Sequence, residues 1–427
     1  MAKKFSSIAT LSIAMVLGAE TLAATSDSGG KDQHWVTSWY AAPQSSWDAT
    51  FVLPTNVPAY LNNQSLRENV RLSAGGRRIR LVFSNRYGKE PLLIGEARVG
   101  VAGESGPYQP LSFSGQPSIS ILPGATAISD PLPLSVKPLA DLSVTTYFPL
   151  RTTVDSFHWG SQQTVHVTAG KATEASYAKS VARIEGRLFL SAVMVEAAEK
   201  RRTVVALGDS ITDGNGSTPD ANRRWPDYLA NRLAPYGVAV ANAGISGARL
   251  VSDGMGQNAL ARLEHDVLSQ PGVSDVIVLL GINDIGWPGS PFAPNEAPMT
   301  LDRLTAAYQQ LVSAAHVRGV RVTAGTLPPF EGALEGTPFA GHYSRDKEQM
   351  RKRFNEWILT SGVFDAVIDF DRLLRDPANH QKLRPAFDSG DHLHPGDEGY
   401  RTMAEAVDIT SLTKNAKSIS AVRKDFK

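Results

Sequence analysis

Four short segments carry residue types that can move protons and hold developing negative charge. The first, Leu207-Gly208-Asp209-Ser210-Ile211-Thr212-Asp213-Gly214, offers the Ser210 hydroxyl as a nucleophile directly after an apolar run. In open parallel sheets ligands bind beyond the carboxyl ends of strands, where helix N-terminal amides favour negative charge. Asp209, Ser210 and Thr212 are equally ordinary as turn and N-cap residues. The second and third segments are Asn242-Ala243-Gly244-Ile245-Ser246-Gly247 and Gly281-Ile282-Asn283-Asp284. Glycine lets the backbone approach a reacting atom, and an Asn amide donates a hydrogen bond without adding charge, as an oxyanion site requires. Taken singly, each also reads as turn chemistry. The fourth, Asp388-Ser389-Gly390-Asp391-His392-Leu393-His394-Pro395, supplies a base near neutrality and a carboxylate to fix its tautomer. Asp388, Asp391, His392 and His394 are alternatively a metal-ligand set, or a solvated loop ahead of a helix.

Other hydrolase and nucleotide signatures are missing from the sequence. There is no Gly-x-Ser-x-Gly elbow, no phosphate loop ending in Gly-Lys-Ser/Thr and no His-Glu-x-x-His. The segments must therefore be positioned by the strands they follow. Candidate strands are Thr203 to Leu207, Val238 to Ala241, Val276 to Leu280, Val320 to Thr326 and Ala366 to Phe370. Helical spacing lies between them at Trp225 to Ala234, Asn258 to Leu268, Leu301 to Val317 and Arg345 to Leu359, with a last helix at Asp397 to Val407. This alternation predicts an α/β fold with a doubly wound parallel sheet. A flavodoxin-like order 2-1-3-4-5 would put the first strand between the second and third, so that three loops converge on Ser210.

From His34 to Glu199 the period is two instead. Ile79, Leu81 and Phe83 share one face, and Gly75-Gly76 after Val70-Arg71-Leu72 predicts a hairpin turn within a meander. Further alternating runs at Leu142 to Phe148, Thr164 to Val167 and Leu188 to Val195 predict an all-β sandwich or jelly roll. The expected organisation is a leader over 1–23, a β-sandwich over 34–199 and an α/β domain over 200–427, joined by the charged stretch around Glu199, Lys200, Arg201 and Arg202.

Together the four segments resemble the SGNH or GDSL hydrolase superfamily, whose blocks run Gly-Asp-Ser, Gly, Gly-x-Asn-Asp and Asp-x-x-His in this order. The resemblance spans about Val204 to Ala406, with Ile211 in place of the usual Leu after the serine. It implies a three-layer catalytic domain and a carboxylic ester hydrolase that forms an acyl-enzyme on Ser210 without metal or other cofactor. His394 would be the base and Asp391 its orienting partner, while the Ser210 amide, the Gly247 amide and the Asn283 side chain would form the oxyanion hole. His392 and Asp388 are the competing pair in that loop. Trp225, Trp287 and the loop Pro288 to Pro298 follow motif loops and are candidate substrate-binding positions. The stretch from His34 to Gln44 and that from Arg67 to Gly88 resemble exported bacterial members with a β-sandwich ahead of the catalytic domain. In that region Trp39, Trp159 and His158 are candidate saccharide platforms, against a bland reading as core and interface. Short-chain or acetyl esters, carbohydrate esters included, are the expected substrates; lipase, lysophospholipase, arylesterase or thioesterase activity is the alternative within the superfamily. A noncatalytic exported glycan-binding protein is the alternative outside it.

Composition limits the partners. The 427 residues carry 43 Lys plus Arg and 42 Asp plus Glu, a formal net charge of +1. That balance leaves no basic footprint for nucleic acid. With no cysteine, disulfides and thiolate chemistry are excluded, and stability must come from packing. Lys3 and Lys4 followed by the apolar run Ile8 to Ala19 and small residues at Thr21-Leu22-Ala23 predict an export leader, with a mature start near Ala24. The run is shorter than the roughly 20 residues a bilayer span needs. The expected product is exported, periplasmic or secreted, without stable membrane insertion.

Overall fold

The computed structural model describes residues 34–103, 107–174, 179–197 and 201–414. The leader and its cleavage site, and residues 198–200 of the charged link, lie outside the described residues. No helix among those described is long and apolar enough to cross a membrane.

In the second half, five strands form a parallel sheet in the spatial order Ala239–Gly244, Thr203–Gly208, Val273–Leu279, Arg321–Gly325, Ala366–Ile368. This is order 2-1-3-4-5, and the first strand is central to its two sequence neighbours. Every residue of Thr203–Gly208 is buried, as expected for a parallel strand covered on both faces. The helix Leu301–Val317 shows why periodicity places these elements: its buried residues Leu304, Tyr308, Leu311, Val312 and Ala315 repeat at helical spacing, and the Thr300 hydroxyl caps its start. The segment expected as one helix from Asn258 is an α-helical turn, Ala259–Leu263, continuing into a π-helical turn, Glu264–Leu268. Arg262 and Asp266 point inward there. Arg262 donates to the carbonyls of Gly208 at 3.0 Å and Ala243 at 2.7 Å, and pairs with Asp266 at 3.0 Å. A fully buried guanidinium thus ties together the carboxyl ends of the first two parallel strands.

The first half is largely antiparallel. One sheet runs His34–Tyr40, Leu190–Ala197, Ile79–Ser84, Thr126–Ile128; a larger one runs Ala182–Leu188, Ser156–Ala169, Gln64–Arg71, Asp141–Phe148, Glu96–Val101, Gln109–Pro110. Ile79, Leu81 and Phe83 do share the buried face. The hairpin expected at Gly75-Gly76 is corrected, because Gln64–Arg71 and Ile79–Ser84 belong to different sheets. The glycines carry the chain from one sheet to the other: Gly76 exchanges backbone hydrogen bonds with Val136 at 3.0 and 2.9 Å. A Cβ on Gly76 would fall 2.6 Å from the Glu196 carbonyl oxygen, so the glycine is required by close backbone approach and not by turn geometry. The two halves share apolar packing. Tyr40, Ala42 and Ala192 join the α/β core, and Ala239 joins the β core.

Candidate active site

Beyond the buried end of Thr203–Gly208, Asp209 takes an extended conformation and its Oδ1 accepts the Ile211 amide at 3.0 Å. This starts the one-turn helix Ser210–Asp213, closed by Gly214 at φ 110°. Ser210 is 5% exposed, so little of the residue meets solvent. Burial pushes the Asp209 carboxyl up to about 7, against the lowering effect of the Ile211 amide.

The fourth segment holds two Asp–His pairs. Asp391 Oδ2 lies 2.5 Å from His394 Nδ1, and His394 Nε2 lies 2.7 Å from Ser210 Oγ. Asp391 Oδ1 accepts the amides of Leu393 and His394 at 2.9 and 2.8 Å. Burial raises the Asp391 carboxyl, but the hydrogen bond and charge of His394 together with these amides outweigh it, leaving it well below the usual carboxylate range. With the Nδ1 proton facing a carboxylate, Nε2 is free to accept from the serine hydroxyl. Asp388 instead pairs with His392, Oδ2 to Nδ1 at 2.5 Å, and that imidazole is about half exposed. His392 has φ 62°. Among the described residues no cluster of three or more acidic or histidine side chains could hold a metal ion.

The second and third loops meet beside the serine turn. The Ile245 amide donates to the Gly208 carbonyl at 3.1 Å, and Asn283 Nδ2 donates to the Ala248 carbonyl at 3.1 Å. Gly247 takes φ 71°, a left-handed conformation suited to glycine. Asn283 is 3% exposed. Asp284 next to it accepts the amides of Leu250 and Val251 at 2.8 and 3.0 Å. Burial still pushes its carboxyl up to about 6. Another histidine, His342, packs over Gly286, and burial lowers its pKa to about 3, which keeps it neutral.

Residues 206–402 match the GDSL-like lipase/acylhydrolase family. The chain carries a GDSL-like lipase/acylhydrolase domain. Similar solved structures include a GDSL-like lipase from Bacteroides thetaiotaomicron, 19% identical, covering 51% of this chain and 89% of that one with a TM-score of 0.37. A carbohydrate acetylesterase from Sinorhizobium meliloti is 18% identical, covering 52% and 99% with a TM-score of 0.37. An acetylxylan esterase from Geobacillus stearothermophilus is 23% identical, covering 48% and 91% with a TM-score of 0.34. No curated protein matches the sequence at a significant level.

Within this GDSL domain, Ser210, His394 and Asp391 form one hydrogen-bonded chain, and Gly247 and Asn283 lie on loops tied to it through Gly208 and Ala248. Trp225 is corrected as a substrate position. It is fully buried, its Nε1 donates to Thr212 Oγ1 at 3.4 Å, and its ring packs on Phe370. Trp287 is 2% exposed and stacks on Phe292 with centroids 4.6 Å apart; it braces the Gly247 loop from behind. Of the expected saccharide platforms, Trp39 is buried under the Arg187 guanidinium at 5.0 Å, whereas Trp159 is partly exposed, 6.2 Å from Trp47. His158 is a buried interface residue, with Nε2 3.0 Å from Asp213 Oδ1. In the sequence Asp213 and Ser246 read only as parts of loops. Their partnership, Ser246 N and Oγ donating to Asp213 Oδ2 at 3.0 and 2.7 Å, had only their position at the ends of two motif loops as a signal.

Proposed function

We propose that this protein is a serine-dependent carboxylic ester hydrolase that works through an acyl-enzyme. The observation that carries the reading is the unbroken chain Ser210 Oγ to His394 Nε2 at 2.7 Å and His394 Nδ1 to Asp391 Oδ2 at 2.5 Å. Both distances fall within hydrogen-bond reach for general-base catalysis. His394 takes the Ser210 proton as Oγ attacks the ester carbonyl. The Ser210 and Gly247 amides and the Asn283 amide group stabilise the tetrahedral oxyanion. His394 then protonates the leaving alcohol, leaving the acyl group on Ser210. Water attacks that ester with His394 again as base, and the carboxylic acid and free serine result. Asp391 stays ionised and holds the ring.

A short acyl group is the one proposed. Trp287, stacked on Phe292, fills the volume behind Gly247, and acetyl esters, those of saccharides included, are the substrates proposed. The leader composition, Lys3 and Lys4 ahead of Ile8 to Ala19, supports export as part of the same reading. The test is a panel of para-nitrophenyl esters of increasing chain length beside acetylated saccharides, run on the wild type and on Ser210→Ala. Rates should fall steeply beyond short acyl groups and vanish in the folded variant. A preference for long chains would overturn the acyl assignment, and an inert wild type would favour a noncatalytic binding protein.

A further inference from the structure

The long strand Ser156–Ala169 of the β-rich half breaks register between Trp159 and Thr164, with Gly160 at φ 66° and Gln162 at φ 51°. Bulges re-aim side chains and recur beside active sites. This one grips the segment that follows the Ser210 turn. The Ser161 carbonyl accepts from Arg224 at 3.1 Å, and the Gln162 carbonyl accepts the Asp220 amide at 3.0 Å. Thr164 N and Oγ1 donate to the Asp220 carboxylate at 2.7 and 2.8 Å, and Gln163 donates to Asn222 at 3.1 Å.

Just ahead of the bulge, His158 is 5% exposed and reaches across to the GDSL domain. Its Nδ1 lies 2.9 Å from the Ala42 carbonyl oxygen and its Nε2 3.0 Å from Asp213 Oδ1. Both ring nitrogens face acceptors, so the imidazole is held between the two halves of the chain. Asp213, the last residue of the Ser210 turn and 3% exposed, uses its other oxygen to hold Ser246 by both its amide and its hydroxyl. Ser246 immediately precedes Gly247. A single buried carboxylate therefore couples the nucleophile turn to the oxyanion loop, and its outer oxygen is held by the β-rich half. The mechanism above assigns His158 no part.

We propose that His158 is a positioning residue for acyl transfer, acting through Asp213 to fix Ser246 and the Gly247 amide, so that the β-rich half is a working part of the catalytic unit. The inference rests on the esterase reading. A shift in an oxyanion donor of a fraction of an ångström is enough to lower turnover, since misplacement by about 1 Å costs on the order of 100-fold.

The test uses the full chain with para-nitrophenyl acetate, and with folded active sites counted by organophosphonate titration. His158→Leu should lower kcat per titrated site about 10-fold or more while KM stays near the wild-type value. His158→Gln, whose amide can still donate to Asp213, should recover most of the loss. In a Ser246→Ala background, His158→Leu should add little, because both changes release the same loop. Should His158→Leu be insoluble, Ser246→Ala reads the same link alone and should itself lower kcat at unchanged KM. Wild-type kcat per site in either variant, a loss fully accounted for by fewer titrated sites, or no recovery with Gln would overturn the proposal. Activity surviving in Ser210→Ala would instead defeat the Ser210 acyl-enzyme reading on which the inference rests.

Discussion

Replacing Gly247 by alanine tests the oxyanion loop with the least change in chemistry. An L-residue at φ 71° costs about 1–2 kcal/mol in backbone strain. The added Cβ would also lie 2.4 Å from Met255 Sδ and 2.9 Å from Trp287 Cζ2. The thioether can swing aside, because methionine is flexible. The indole cannot: it is 2% exposed, stacked on Phe292, and covered by the Arg249 guanidinium 4.8 Å from its centroid. The loop must therefore move, carrying the Gly247 amide away from the developing oxyanion. Loss of one such donor is worth about 10²–10³ in kcat. Gly247→Ala should fold, lose about 1–2 kcal/mol of stability in urea titrations, and lose about 10²-fold in kcat on para-nitrophenyl acetate. Adding Met255→Ala should restore little, since neither the indole contact nor the φ strain is relieved. A folded Gly247→Ala enzyme turning over within about threefold of wild type would refute the placement of that amide; the threshold is far below the 10²-fold expected of a lost donor.

Three further outcomes follow from the same structure. Asn283→Ala should lower kcat by about 10²–10³ with a smaller effect on KM, because the amide is called on in the transition state; steady-state kinetics with unchanged kcat would remove Asn283 from the oxyanion site. Arg262→Met should destabilise the fold by about 3 kcal/mol, since it leaves Asp266 without its guanidinium and frees two strand-end carbonyls; a urea midpoint corresponding to under about 1 kcal/mol would contradict that role. Glu68, fully buried 4.0 Å from Arg187, has its carboxyl pushed up to about 7 by burial, which outweighs the pull of Arg187. The native state then holds a proton that the unfolded chain releases at the ordinary carboxylate value of 4.5, so stability falls as pH rises across that window, by at most about 3 kcal/mol. Glu68→Gln should flatten the pH dependence of urea unfolding between pH 5 and 8, and an unaltered slope would rule Glu68 out as its source.

How much of this was legible in the sequence depended on whether the signal was local. Leu301–Val317 matched its apolar spacing to the residue because one face packs on the sheet and the other meets solvent. Three of the chemistry-bearing segments were legible because each follows a short apolar strand and the parallel order brings their ends together, while the fourth, ahead of the helix Asp397–Ala406, was legible from its own Asp and His residues. Gly75-Gly76 misled because a glycine pair signals permissive backbone without saying whether a turn or a close approach needs it. The choice between the two Asp–His pairs rested on the spacing of the motif; in the structure the hydrogen bond of His394 to Ser210 and the exposure of His392 separate them. Trp225 looked available because it follows a motif loop, whereas its ring is needed to fill the space beneath the Ser210 turn. His158 and Asp213 lie 55 positions apart in different halves of the chain, and no periodicity connects them.

The proposed mechanism makes Ser210 the nucleophile among many serines. Treatment of the full chain with a fluorophosphonate, followed by peptide mass spectrometry, tests it most directly. One adduct per molecule is expected, on the peptide carrying Ser210, formed in step with loss of ester hydrolysis and absent in both Ser210→Ala and His394→Ala. Labelling at another serine that tracks inactivation, or full activity after Ser210 is modified, would contradict it.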